Sequence, residues 1–553
     1  MFVRVKTTPN SPRRSVQIVQ SVRKGDKVSQ KIVRHVGIAM DDNELEQLKQ
    51  LAESIKSKLE LENQNLLFSP EEFANMTSKP QKKSKQPSSK DFQVDLRDIV
   101  EEDRVIHGIH DIYGNLFDEL EYTNVLPETK EISRYFRDIV LARIANPTSK
   151  RATVEMLEKR FGITLNLDKV YRMMDALDDT AIDRLQEMSY TNTCSLFQKK
   201  IDVIFFDCTT LYFETFEEDD FRKNGYSKDL KFNQPQVVLA LLVTKEGLPI
   251  GYKAYEGNQY EGHTFIPVIQ ELREKYQLDK VVFVADAGML SKENLREIES
   301  MKDQHIEYII GARLKNLPHK LQQKILDKKN YHQTSDGMVG RFTYQGRHLI
   351  VSYSEKRAKK DQYDREKALE KLQHKIAKSK NPKQFLSQYG YKKYLTLEGE
   401  SSFTINEEKI AESSQWDGLH GIITNCDTMS DKELLEQYNN LWNVEYAFRI
   451  TKHDLKVRPV YHWKKKRVKA HLAISFAAYS LVRYLEYRVK LQYKKLSPER
   501  IRQALLEVQT SIIFDTKKKI RFGLPSSMSQ DAKKIYEVLK IEYKTVPYII
   551  KKM

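Results

Sequence analysis

The sequence predicts an α/β protein whose centre is a mixed five-stranded sheet with helices on its faces. A β-rich insertion interrupts it, and a helical region and a small β-meander precede it. Three observations carry this. Between residues 201 and 311, strand-length apolar runs alternate with helical patterns in the order β-β-β-α-β-α-β. From about 100 to 199 the apolar periodicity is helical, with breaks at Gly108, Gly114, Pro127, Pro147 and Gly162. Residues 312–420 then hold short strand patterns of their own, too long a stretch for a plain loop.

Taken in order, residues 2–6, 15–22 and 27–36 read as a meander and 41–61 as an amphipathic helix, giving a unit over 1–62. Residues 63–99 form a basic linker; 77–91 are Lys, Ser, Pro and Gln without an apolar anchor. Residues 100–199 form a helical domain expected to bind DNA. Within it, 152–177 reads as helix, Gly-containing turn, helix, which fits a DNA reader or any αα-hairpin. Residues 200–311 hold the first part of the sheet, with strands at 201–206, 236–243, 249–255, 281–285 and 308–311. A meander followed by βα units is the strand order of the ribonuclease-H-like fold. Residues 312–425 are the insertion, 426–492 complete the core, and 493–553 read as a basic tail.

Composition narrows the class. The 553 residues carry a formal net charge of +16, which favours a polyanionic partner such as nucleic acid. Cys194, Cys208 and Cys426 show no metal-ligand spacing and point to a reducing compartment. The N-terminus lacks the apolar run of a signal peptide, and the most apolar helix, near 470–485, carries His471 and Arg483. A cytoplasmic, nucleoid-associated protein is expected.

The chemistry rests on acids. Asp207 ends the first strand of the core and Asp286 the fourth. In a sheet of this order those strands are neighbours, so the two carboxylates meet at their C-terminal edge, where open α/β sheets build sites. The stretch 430–463 opens with a capping box, Ser430 to Glu433, and continues with apolar residues at helical spacing. Glu445 falls in that stripe. Tyr438, Glu445 and Lys452 are seven apart and line one face within about 20° of drift per step. Two readings of Glu445 stand: a metal ligand flanked by phosphate contacts, or a buried acid paired with Arg449 or Lys452. Three carboxylates without Cys or His favour Mg²⁺ or Mn²⁺. Paired ions roughly 4 Å apart activate an attacking oxygen and stabilise the leaving one in phosphodiester chemistry.

These residues resemble a known family. D-C-T-T at Asp207, E-G-N-Q-Y-E at 256–261, A-D-A-G-M around Asp286 and T-N-C-D at 424–427 are similar to the DDE transposases of bacterial insertion sequences, in the insertion-sequence-four superfamily. The resemblance covers roughly 100–490. Tyr438, Glu445 and Lys452 match the family's Tyr-Arg-Glu-Lys signature in spacing, with Leu441 where the signature has Arg; K-V-R-P-V-Y-H-W at 456–463 resembles one branch. The resemblance implies a Mg²⁺- or Mn²⁺-dependent enzyme, using two ions, that binds terminal inverted repeats of double-stranded DNA. It would cleave the ends and join the 3′-hydroxyls to target DNA, as a homodimer. It implies Asp207, Asp286 and Glu445 as metal ligands, and Tyr438 and Lys452 as phosphate contacts. Arg449 and Arg458 are added from charge and position, against a structural ion pair. Trp416, in the insertion, is the candidate for stacking on a flipped base, against core packing. A nuclease without strand transfer and a catalytically inactive DNA-binding protein are the alternatives.

Overall fold

The computed structural model describes residues 2–7, 14–24, 27–39, scattered positions between 44 and 56, 92–197, 201–226, 233–276, 281–286, 292–300, 306–335, 337–378, 394–398, 402–458 and 460–550. Most of the helix expected at 41–61, and residues 63–91 of the expected linker, lie outside them.

Strands β1 (Phe2–Thr7), β2 (Arg14–Lys24) and β3 (Lys27–Ala39) form an antiparallel sheet, Val16, Ile18 and Val36 turning one face inward. After β4 (Ile99–Ile106) come five helices: α1 (Gly108–Glu119), α2 (Lys130–Ala145), α3 (Lys150–Phe161), α4 (Leu167–Ala176) and α5 (Asp179–Phe197). Their starts follow the cap chemistry. Thr129, Ser149 and Asn166 each accept a backbone N–H of the first turn of α2, α3 and α4. Gly162, at φ +65°, ends α3 in the left-handed conformation that a glycine adopts without Cβ strain. The helix–turn–helix read from the sequence at 152–177 is therefore α3 and α4.

The main sheet has nine strands in the order β10-β11-β12-β15-β9-β8-β5-β6-β7. Its first-formed half is β5 (Val203–Tyr212), β6 (Gln236–Val243), β7 (Pro249–Glu256), β8 (Val281–Ala285) and β9 (Ile306–Ala312). β5, β8 and β9 run parallel, while β6 and β7 are antiparallel to their neighbours. Helices α6 (Phe265–Tyr276) and α7 (Lys292–Ser300) provide the crossovers. Side chains alternate across the sheet. Val203, Phe205, Val282 and Val284 enter one core; Ile204, Phe206, Phe283 and Ala285 enter the other, with Ile266, Leu272, Leu295 and Ile298 of α6 and α7.

The segment 312–425 does not stand apart. β10 (His332–Thr334), β11 (Gly337–Tyr344), β12 (Arg347–Tyr353) and β15 (Leu419–Thr424) continue the same sheet, β15 pairing with β9. The basic helix α8 (Glu355–Lys378) and the hairpin β13 (Leu395–Glu398) and β14 (Ser402–Ile405) lie between β12 and β15 in the chain.

After β15 come α9 (Asp431–Asn439), α10 (Trp442–Arg449) and the long α11 (Lys465–Gln492). α11 is buried on nearly every side through its middle, so its expected role as a core helix holds. No helix among the described residues is long and apolar enough to cross a membrane. Within α11, Tyr479 and Arg483 both donate to the carbonyl of Gly247, at 2.9 and 3.0 Å, and Arg483 pairs with Glu486. Gly247 holds φ +76° to present that carbonyl.

The stretch expected to be a basic tail is folded. α12 (Pro498–Leu506), β16 (Gln509–Asp515), β17 (Ile520–Pro525), α13 (Gln530–Leu539) and β18 (Tyr548–Ile549) build a four-stranded sheet in the order β18-β17-β16-β4. Lysines dominate its sequence, but Ile501, Leu505, Ala532, Ile535 and Tyr536 join the core shared with α1 and α2. Its strand partner, β4, lies some 400 positions earlier in the chain, which periodicity within 493–553 has no means to reveal. Leu505→Ala is accordingly expected to cost about 2–5 kcal/mol of stability. Thermal or denaturant unfolding of the full chain checks this; an unchanged midpoint would return the segment to a dispensable tail.

Candidate active site

The site is built where β8 stops and β5 does not. The last parallel pair between them is Phe206 with Ala285, so the next residues, Asp207 and Asp286, stand level on adjacent strands. β5 itself runs on to Tyr212, because β6 continues to pair with it from Phe205 to Tyr212. Asp207 is thus inside a strand and not at its end, a correction to the sequence reading. The alternation that sends Val203, Phe205, Val282 and Val284 to one core gives Asp207 and Asp286 that same face. Val444, Ala447 and Phe448 of α10 pack into that core, and α10 lies against β5 and β6. Asp207 is half-buried and accepts the N–H of Cys208 at 2.7 Å; Asp286 is exposed.

The helix of 430–463 opens with the capping box between Ser430 and Glu433, as its sequence requires. It is not one helix. At 438–444 the backbone bonds tighten to i→i+3: Leu441 to Tyr438, Asn443 to Asn440 and Val444 to Leu441. Each such step turns about 20° further than an α-helical one, so three rotate the following segment by roughly 60°. Leu441, Val444, Ala447 and Phe448 thereby form the apolar face of α10, and Glu445 stands exposed beside Trp442 and Arg449. The expected burial of Glu445 in the apolar stripe is overturned by this rotation. Lys452 lies on a third piece, a single π-turn at Ile450–Asp454. Tyr438, Glu445 and Lys452 therefore sit on three short segments and not on one continuous face.

Tyr438 joins the pieces. Its hydroxyl donates to Asp286 Oδ1 at 3.4 Å. Burial raises its pKa, and the negative charges of Asp286 and Glu445 raise it further, so both acids act on the same phenol. Sequence reasoning missed the neighbour on its other side. The ring of His420, on β15, lies 5.1 Å from that of Tyr438, and burial, with Arg357 nearby, pushes its pKa down to about 4. A lone histidine at a strand start gives no signal of this; the pairing of β15 with β9 creates the contact.

The remaining candidates divide. Arg449 lies over the Tyr446 ring at 4.6 Å and Arg458 over that of Tyr212 at 5.7 Å, so each is held by an aromatic face. Leu441 is buried and packs into the core. Trp416 is 9% exposed and belongs to the buried cluster that includes Ile310, Leu349 and Ile423, which favours core packing over a base contact. Trp442 and Trp463 are the exposed tryptophans, at 50% and 59%.

The donor set is all oxygen, which suits a hard divalent cation. Two of its members are strand neighbours. Among the described residues, no three His, Cys, Asp or Glu side chains converge closely enough to hold an ion as they stand.

A family profile described as "Transposase DDE domain" matches residues 198–481, and one described as "IS1634 family transposase, N-terminal domain" matches residues 2–65. No curated protein matches the chain. Among solved structures, the piggyBac transposase synaptic complex with hairpin DNA aligns with 72% of this chain and 78% of its own, at 10% identity and a TM-score of 0.38. The Mos1 transposase paired-end complex with the left transposon end aligns with 32% of this chain and 56% of its own, at 12% identity and a TM-score of 0.14.

His420 gives the site a measurable signature. Its folded pKa, about 4, lies below the ordinary 6.5, so between those values the unfolded chain binds more protons and stability falls as pH falls. His110, His462 and His471 are lowered too and contribute the same sign. His420→Gln is expected to remove its own share: the loss of stability from about pH 6.5 to 4 becomes shallower than in the wild type. Denaturant unfolding across that range checks it, and parallel curves would place His420 in a solvated environment.

Proposed function

The chain belongs to the family of transposases with a DDE domain and is a DNA transposase, and we propose that Asp207, Asp286 and Glu445 are the acids that cut and rejoin the DNA. The observation that carries this is the level placement of Asp207 and Asp286 on paired parallel strands, with Tyr438 donating to the second. The order β7-β6-β5-β8-β9, with β6 alone reversed between two neighbours, supports a ribonuclease-H-like core.

The family depends on divalent metal. Asp207, Asp286 and Glu445 would hold Mg²⁺ or Mn²⁺, as a pair of ions, and a bound pair supplies an activated oxygen nucleophile and a stabilised leaving oxygen. Glu445 is exposed on α10, and its charge reaches Tyr438, the residue whose hydroxyl meets Asp286. The chain's own side chains do the positioning. Tyr438 orients the Asp286 carboxylate by its hydroxyl. Lys452 and Arg449, close after Glu445, neutralise phosphates flanking the reacting bond, and Arg458 reaches a phosphate farther along the duplex. The substrate is the double-stranded end of an insertion sequence, its terminal inverted repeat, and the second substrate is target DNA joined by the freed 3′-hydroxyl. Two ends must be processed together, which favours a homodimer. The helical domain at 100–199 is proposed as a DNA-binding unit.

Asp207→Asn, Asp286→Asn and Glu445→Gln are each expected to lower Mg²⁺-dependent cleavage of a terminal-repeat duplex by roughly a thousandfold or more, with DNA affinity and unfolding midpoint little changed. Gel-resolved cleavage and strand transfer check it; near-normal cleavage by any one variant removes that residue from the site. Affinity for duplex DNA is expected to fall on the order of a thousandfold between about 50 and 200 mM salt, as counterions released by phosphate contacts require. A flat salt response would contradict binding through the basic surface.

A further inference from the structure

A cleft of about 410 Å³ lies away from the acids, between α2, the start of α3, the segment 456–462 and α11. Its floor is Arg143, Lys150 and His471, each 5% exposed. Exposed Arg151 and Lys456 and half-buried Arg458 stand at its rim. No carboxylate is among its lining residues.

Buried cations without counter-charges are costly. Arg143 spends one nitrogen on the carbonyls of Leu455 and Lys456, at 2.8 and 3.3 Å, but its Nε has no hydrogen-bond partner. His471 donates from Nε2 to the carbonyl of Val457, and its Nδ1 has no hydrogen-bond partner. Lys150 is held far from its ordinary ionisation by burial and by Arg143, and no acid acts on it. His462, also lining the cleft, is lowered to about 3 by burial and by Lys150, Arg143 and Arg467. The N-terminus of α3, a twelve-residue helix capped by Ser149, opens into the same space. Buried Arg143 and Lys150 and the N-terminus of α3 thus leave positive potential unmatched at one place.

We propose that this cleft is a binding site for a phosphate group of the DNA backbone, separate from the acids that cut it. Lys150 and Arg143 meet the phosphate oxygens from below, the first turn of α3 offers backbone N–H groups, and Arg151 and Arg458 close on it from the rim. Val460 pairs with Phe213 and Arg458 faces Tyr212, so the cleft is anchored at the far end of β5. Tyr212 lies five steps along the strand from Asp207, roughly 17 Å at about 3.4 Å per residue. One rigid strand therefore links the cleft to the acids, and a phosphate held there fixes the register of the duplex relative to the cut. The assignment of the phosphate to DNA rests on the transposase reading; the anion site itself does not.

The test uses the full chain in EDTA, so that no cleavage occurs, with inorganic phosphate and a fluorescein-labelled duplex as probes. Phosphate is expected to raise the wild-type Tm over chloride at matched ionic strength. Lys150→Met is expected to raise the Tm in chloride, to abolish the phosphate-dependent rise, and to weaken duplex binding about tenfold or more. Arg151→Ala, at the exposed rim, is expected to weaken duplex binding severalfold with its Tm in chloride unchanged, which keeps the test open if the first variant folds poorly. Absence of a phosphate effect on the wild type overturns the anion site. Lost phosphate protection with wild-type duplex affinity makes it a site for small free anions and overturns the DNA assignment. A Lys150→Met protein that is destabilised in chloride makes Lys150 a structural residue. Mg²⁺-dependent cleavage, measured separately on the wild type, reports on the catalytic reading alone.

Discussion

The parallel pairing of β5 with β8 is the constraint on which the candidate site depends. Its register sets Phe206 against Ala285 and so brings Asp207 and Asp286 level, although 78 residues of chain lie between them. The two carboxylates share a face because side chains alternate along both strands. That face is also the one covered by the helices after residue 430. Two like charges held side by side repel, and such a pair is maintained where a cation or a proton sits with it. The sheet thus stores an electrostatic demand at one point of its surface, and the fold around it keeps that point open, with Asp286 exposed and Asp207 half-buried.

Much of this was legible in the chain itself. The continuous apolar runs at 203–206 and 281–285 are those of strands buried on both faces, and the capping box at Ser430 marks its helix without ambiguity. The mixed sheet and its order follow from a meander succeeded by βα units. What local pattern carries poorly is phase. The seven-residue spacing of Tyr438, Glu445 and Lys452 is real, but three i→i+3 bonds within 438–444 rotate the later residues away from it. Nothing in the residue types at 440–441 announces that tightening, since Asn and Leu are both compatible with an uninterrupted helix.

Contacts between distant segments were also out of reach. β16 finds its partner in β4, and β15 closes the insertion back onto β9, so stretches that read as a tail and a separate unit extend sheets begun elsewhere. His420 and Lys150 illustrate the same limit at single residues. Each looks ordinary in sequence, and each acquires its character from packing: against the ring of Tyr438 for the first, and by burial beside Arg143 for the second. Trp416 shows the reverse, a residue of promising type that is buried in the core beneath the sheet.

Catalysis by this chain requires the three acids to come together around metal when DNA is bound. Diffraction from crystals of the protein with a terminal-repeat duplex and Mn²⁺, recorded at the manganese edge, tests this most directly. Anomalous peaks are expected between the carboxylates of Asp207 and Asp286, with a Glu445 oxygen at coordinating distance after movement of α10. Manganese bound elsewhere in the DNA complex, or bound to the aspartates while Glu445 stays beyond coordinating distance, would contradict it.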